Sequence, residues 1–256
     1  MTFINNLTTL FATPTVNTAQ QISGIHGTSV RPFQTTEQTG LQDRFSTNPL
    51  YGNFKTKQEI EQLAKANPRI MQLLKEYGIP LKVNIEELEA LKKGHLQDTR
   101  VLVAKMSSAL SKTYNINPKN LQAAAMLHDY GKVLIPKEIL NKEGSLTAEE
   151  KAIMELHSEF GYELLKQQGG VNEEVLKLIK YHHQKPDGSG YPEITDNYTM
   201  DVSSQIIKVA DMYSALTEER PYHEAYTRDD ALSLIYKEVE AGTISQDVFD
   251  ALKNSV

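Results

Sequence analysis

From Lys55 to the C-terminus, apolar residues recur at the three- and four-residue spacing of helices, and five histidines and two aspartates fall on or beside these stripes. The pattern predicts an all-α bundle, and the polar groups set into it constrain how that bundle can close. They are His95, His128, Asp129, His157, His182, His183 and Asp211. Each alone reads as a core group satisfied by one hydrogen bond or ion pair. Together they require a single helical core to satisfy five imidazoles and two carboxylates separately, and each failure costs about 1–3 kcal/mol. Shared metal ions remove that cost. Histidine and carboxylate ligands without thiolate suit iron, manganese or zinc, and a carboxylate at Asp129 could bridge two ions about 3.5–4 Å apart.

Composition narrows the alternatives. The 256 residues contain no cysteine, which excludes disulfides, thiolate zinc sites and cysteine nucleophiles and points to a reducing compartment. The formal net charge is -6 and no block of Lys and Arg stands out, so the chain lacks the electrostatic footprint of a binder of duplex nucleic acid or of an anionic membrane. The N-terminus lacks a basic leader and no apolar run approaches the roughly 20 residues that span a bilayer, so the expected location is the cytoplasm.

Residues 1–55 are rich in Thr, Asn, Gln, Ser and Gly with no useful periodicity, which predicts a disordered polar tail carrying an isolated, solvated His26. A helical lead-in over 56–90 follows: one segment from Gln58 to Tyr77, with a break expected at Pro68, and a second running from Ile85 to Leu110 into the main domain at 91–256. Asn120 to Asp129 reads as a tightly packing Ala/Leu helix stopped by Gly131, with His128, Asp129 and Lys132 at its end. Thr147 to Glu150 is a capping box that opens a helix closed at Gly169-Gly170. Further helices are expected through Val175 to His182, around Asp211, from Arg228 to Val239 with Gly242 behind it, and over Gln246 to Lys253. An Asp on a core-facing stripe, as at Asp211, is costly without a cation beside it. His182 and His183 are adjacent, so they can reach one ion only near a helix end, and the Asp187-Gly188-Ser189-Gly190-Tyr191-Pro192 turn supplies one.

These motifs, in this order, resemble the HD-GYP branch of the HD phosphohydrolases over roughly residues 91–255: His128-Asp129-Tyr130-Gly131-Lys132, Ile135-Pro136, the helix to His157, His182-His183 with its Gly-rich turn, and Val209-Ala210-Asp211 followed by Arg220-Pro221-Tyr222. The resemblance implies an HD-domain bundle of about seven core helices and two divalent metals, usually iron or manganese. It implies hydrolysis of cyclic di-GMP to pGpG or on to GMP, by a hydroxide held between the metals. Transferred onto this chain, it makes His95, His128, Asp129 and Asp211 ligands of one ion and Asp129, His157, His182 and His183 ligands of the other. Lys132 would contact the scissile phosphate, Arg220 would hold a substrate phosphate, and Tyr191 would line the pocket edge. Leu91 stands where the family often has a third-metal Glu, which favours two ions; Gln184, Ser214 and His223 also depart from its pattern. Cyclic GMP-AMP or another nucleotide as substrate, and a module that binds without turnover, stay open at this point, as does a homodimer.

Overall fold

A computed structural model describes residues 54–218 and 225–256. Among them are eleven α-helices: α1 (Lys57–Ala66), α2 (Pro68–Glu76), α3 (Ile85–Lys93), α4 (His95–Leu110), α5 (Pro118–Leu127), α6 (Lys137–Leu140), α7 (Ala148–Gln168), α8 (Glu173–Tyr181), α9 (Val202–Thr217), α10 (Arg228–Glu240) and α11 (Gln246–Lys253). A 3-10 turn at Tyr130–Leu134 follows α5, and the described residues form no strand beyond an isolated bridge between His183 and Tyr191. The expected all-α class is borne out. The polar tail, with its His26, falls outside the described residues as far as position 53, as do Arg220 and His223.

Local chemistry explains most helix ends. Thr56 and Glu59 form a reciprocal capping box on α1, and Thr147 and Glu150 form another on α7. Asn67 ends α1 and caps α2: its Oδ1 accepts from the backbone N–H groups of Arg69 and Ile70, and Pro68 takes the first helical position, where its missing N–H costs nothing. The expected break therefore falls at Asn67-Pro68. Its side chain also donates to Glu163 Oε2 at 2.9 Å, and Arg69 meets Glu159 at 2.8 Å, so the lead-in is tied to α7 as well as packed on it. Ile60, Ile70, Leu73 and Leu74 join one continuous buried cluster with the residues of α4 to α11. Each such side chain contributes about 1.5–3 kcal/mol through burial.

Two sequence expectations need correction. The single helix expected from Ile85 to Leu110 is two, because the chain turns at Gly94 (φ -117°, ψ -103°) and restarts with His95 as the first residue of α4. Glu218 lies against that turn, 3.2 Å from where a Gly94 Cβ would stand. Gly131, expected to stop the preceding helix, lies inside the 3-10 turn; α5 already ends at Leu127, and it begins at Pro118 under an Asn117 cap rather than at Asn120. What Gly131 provides is closeness. A Cβ there would sit 1.9 Å from the His157 carbonyl oxygen and 2.4 Å from the Gly161 nitrogen, so only glycine lets the turn after α5 lie on the backbone of α7. That contact brings Asp129 up to His157.

Candidate metal centre

The seven groups singled out in the sequence come from five places in the chain and converge in the core. His95 opens α4, His128 and Asp129 follow α5, His157 lies in the middle of α7, His182 and His183 follow α8, and Asp211 lies in α9. All are buried, with residue exposures between 0% and 7%. On one side, His95 Nε2 is 2.9 Å from Asp211 Oδ1 and 3.6 Å from Asp129 Oδ2. His128 Nε2 is 3.4 Å from Asp129 Oδ2 and 3.5 Å from Asp211 Oδ1. On the other, His157 Nε2 lies 3.3 Å from His182 Nε2, 3.2 Å from His183 Nε2 and 3.4 Å from Asp129 Oδ1. Asp129 thus touches both sides with different oxygens.

The ring orientations have a common cause. His128, His157 and His182 each direct Nδ1 at the carbonyl three residues earlier, Ala125, Met154 and Ile179, at 2.7–2.9 Å. A carbonyl can only accept, so Nδ1 carries a proton in each ring; in neutral His157 and His182 this leaves an Nε2 lone pair facing the centre, and in His128 it aims Nε2 at the two aspartates. Two such lone pairs, on His157 and His182, face each other with a carboxylate oxygen beside them. Burial, the largest influence, lowers His157 to about 4 and His182 to about 3, and it holds His183 well below its usual value, so no proton relieves the crowding at neutral pH.

The carboxylate side is charged. Burial opposes ionisation of both aspartates, but Lys132 and His128 hold Asp129 well below the usual carboxylate range, and His128 and His95 do the same for Asp211. Burial also works against a proton on His128, but Asp129 and Asp211 outweigh it and raise the ring to about 10. Two buried anions drawing positive charge, a buried His128 Nε2 with no hydrogen-bond partner among the described residues, and converging imidazole lone pairs are the donor set of a divalent cation. Three overlapping groups have donor atoms all within 4.8 Å of one another: His95, His128 and Asp129; His128, His182 and Asp211; His157, His182 and His183.

A family model described as HD domain matches residues 80–245. The chain belongs to the HD domain family. It is 42% identical over 117 residues to the cyclic di-GMP phosphodiesterase response regulator RpfG of Xanthomonas campestris, an alignment covering 45% of this chain and 31% of that protein. It is 33% identical over 153 residues to 3'3'-cGAMP-specific phosphodiesterase 1 of Vibrio cholerae, covering 59% of this chain and 35% of the relative. The chain therefore spans about a third of the length of these curated relatives. Among solved structures it is similar to an HDG"Y"P protein of Bdellovibrio bacteriovorus, at 19% identity and a TM-score of 0.49, with 62% of this chain and 50% of that one covered.

Around the HD pair, Lys132 donates to Asp129 Oδ2 at 2.6 Å with its side chain 22% exposed. Tyr191 packs its ring 4.6 Å from that of His183 and 6.2 Å from that of His157. Gln184, noted in the sequence only as a departure, proves structural. Fully buried, it accepts from the N–H groups of Lys185 and Gly190 and donates to the Pro192 carbonyl, closing the Gly-rich turn that carries Tyr191. Gly190 has no room for a Cβ, which would lie 2.3 Å from the His183 carbonyl oxygen. Sequence reasoning missed that role because an amide in a turn gives no periodic signal. Among the described residues, no helix is long and apolar enough to cross a membrane.

Proposed function

We propose that the chain is a metal-dependent phosphodiesterase that hydrolyses cyclic dinucleotides, cyclic di-GMP first among them, with pGpG as the first product. The observation that carries this reading is the convergence of the His157 and His182 Nε2 lone pairs with His183 Nε2 and an Asp129 carboxylate oxygen, joined by Asp129 to an anionic side. Two ions, iron or manganese, fit this set, with His95, His128, Asp129 and Asp211 for one and Asp129, His157, His182 and His183 for the other. When bound, such ions lower the pKa of coordinated water and offset the charge that builds on a phosphodiester.

The protein's own contribution is positional. Carbonyls of Ala125, Met154 and Ile179 hold three rings in one tautomer and orientation, the usual second-sphere device. Lys132 keeps the Asp129 carboxylate ionised and offers its remaining N–H groups to a phosphate oxygen. Tyr191 shields His183 and His157 from water and provides a flat wall for a base or sugar. Arg220, the expected second phosphate contact, lies outside the described residues. A cytoplasmic setting fits a chain without cysteine.

The longer of the two relative alignments, over 153 residues, is to a protein named as 3'3'-cGAMP-specific, which favours that dinucleotide as the second reading. The test is incubation of anaerobically prepared, manganese- or iron-loaded protein with each cyclic dinucleotide and chromatography of the products. Linear dinucleotide from cyclic di-GMP is expected. Turnover of cyclic GMP-AMP alone moves the assignment to the second reading, and saturable binding with no product over hours rejects hydrolysis.

A further inference from the structure

The ring of His95 is held differently from its neighbours. His128, His157 and His182 each rest Nδ1 on the carbonyl three residues back in or beside their own helix. His95 cannot, because the chain breaks at Gly94 and His95 is the first residue of α4. Its Nδ1 is buried and has no hydrogen-bond partner among the described residues. The group that does approach it is a carboxylate from the far end of α9: Glu218 Oε2 is 3.9 Å from His95 Nδ1. Glu218 follows the last residue of α9, and its other oxygen is the atom that would crowd a Cβ at Gly94, at 3.2 Å. The glycine that deprives His95 of a backbone carbonyl is thus also the residue that admits the carboxylate.

We propose that Glu218 is the positioning residue for His95, its carboxylate accepting a hydrogen bond from Nδ1–H and so holding the Nε2 lone pair toward Asp129 and Asp211. The inference rests on the metal reading above. At present His95 Nε2 is 2.9 Å from Asp211 Oδ1, which one N–H must bridge. If Nε2 gives its lone pair to a cation, the neutral ring keeps its one proton on Nδ1, and a buried N–H without an acceptor is costly. The proton moves from Nε2 to Nδ1 of the same ring, and no other species is consumed. A separation of 3.9 Å is too long for a hydrogen bond, and contacts of this kind tighten in the loaded site. Asp98, exposed on α4, lies within electrostatic reach of both His95 and Glu218 and is the control.

The experiment uses the full chain loaded with zinc, a diamagnetic probe, and reads two quantities: metal affinity by competition with a chelator, and the His95 tautomer by 15N NMR of histidine-labelled protein, assigned with His95→Ala. Removal of such an outer carboxylate weakens metal binding about 10- to 100-fold. Glu218→Ala is expected to lose affinity in that range and to lose the Nδ1–H signature of His95. Glu218→Gln, which keeps an acceptor oxygen, should restore the tautomer and part of the affinity. In a His95→Ala background, Glu218→Ala should add nothing. Wild-type affinity and tautomer in Glu218→Ala overturn the proposal, and so does an equal loss in the His95→Ala background. The same effects from Asp98→Asn in place of Glu218→Ala overturn it too. If the native protein binds no divalent ion, the metal reading falls and this proposal with it; if the native protein binds zinc and the variants match it, only the proposal falls.

Discussion

The two sides of the metal centre are built from the same kinds of residue and reach opposite electrostatic solutions. Around Asp211, two buried carboxylates draw positive charge, and His128 is raised to about 10. Around His157, three imidazoles crowd together with one shared carboxylate oxygen, and burial drives His157 to about 4 and His182 to about 3. The difference lies in the number of carboxylates within reach, since all these rings are buried alike. One side attracts a cation by charge and must release a proton to take it. The other offers lone pairs that are already free. Asp129 reaches both sides with separate carboxylate oxygens, and His182 lies near both as well.

The largest effect should come from removing that link. Asp129→Ala is expected to lower turnover by at least about 1,000-fold, the scale of several kcal/mol of charge stabilisation, and to reduce metal content on both sides. Retention of full metal content would break the idea that one carboxylate joins two sites. Gly131→Ala acts on the spacing of the two sides. Its new Cβ meets backbone atoms of His157 and Gly161 that cannot step aside. A loss on the order of 3 kcal/mol or more is expected in chemical unfolding, with weakened metal binding in whatever folds.

In the metal-free protein the two sides should tilt the pH dependence of stability in opposite directions. Folding raises His128 from the ordinary imidazole value of 6.5 to about 10, so its contribution is complete below 6.5 and is lost as pH rises through about 10. His157 and His182 lie below 6.5 when folded. The unfolded chain then takes up protons that the folded one refuses, and stability falls as pH drops from 6.5 toward 4 and 3. Each of these residues contributes on the order of 3–5 kcal/mol across its full window. Denaturant midpoints of metal-free protein at several pH values should show His128→Asn flattening the alkaline side and His157→Asn the acid side; the reverse assignment contradicts the comparison. The smallest effect expected is that of Lys132→Met, a drop of about 100-fold in turnover with metal content kept, since the lysine touches Asp129 from outside the ligand set. Loss of metal in that variant would make Lys132 a structural partner of the carboxylate instead.

Much of this was legible in the sequence, for reasons that particular residues make plain. Helical spacing put His157 and Asp211 on buried faces, and the Thr147 box and the glycines at 169 and 170 marked α7, because both signals are local. The convergence of all seven groups followed from counting polar groups against one core. What stayed hidden depends on distant backbone. Gly94 reads as a tolerated glycine because the apolar spacing runs on through it, and Gly131 reads as a helix stop because that is the commoner use of glycine after a helix. Its actual partner is His157, on a different helix. The single-turn elements at Tyr130–Leu134 and Lys137–Leu140 are too short to show a period. Glu218 carries no motif, and only the fold places it against His95.

The most direct test of the central claim is the number of ions held per chain after anaerobic loading with iron or manganese and removal of excess metal, measured by elemental analysis on native protein and Asp129→Ala. About two ions per native chain, and fewer than one in the variant, is the result predicted from a carboxylate that serves both sides. A native chain that retains no ion, or a variant that retains as many as the native protein, contradicts it.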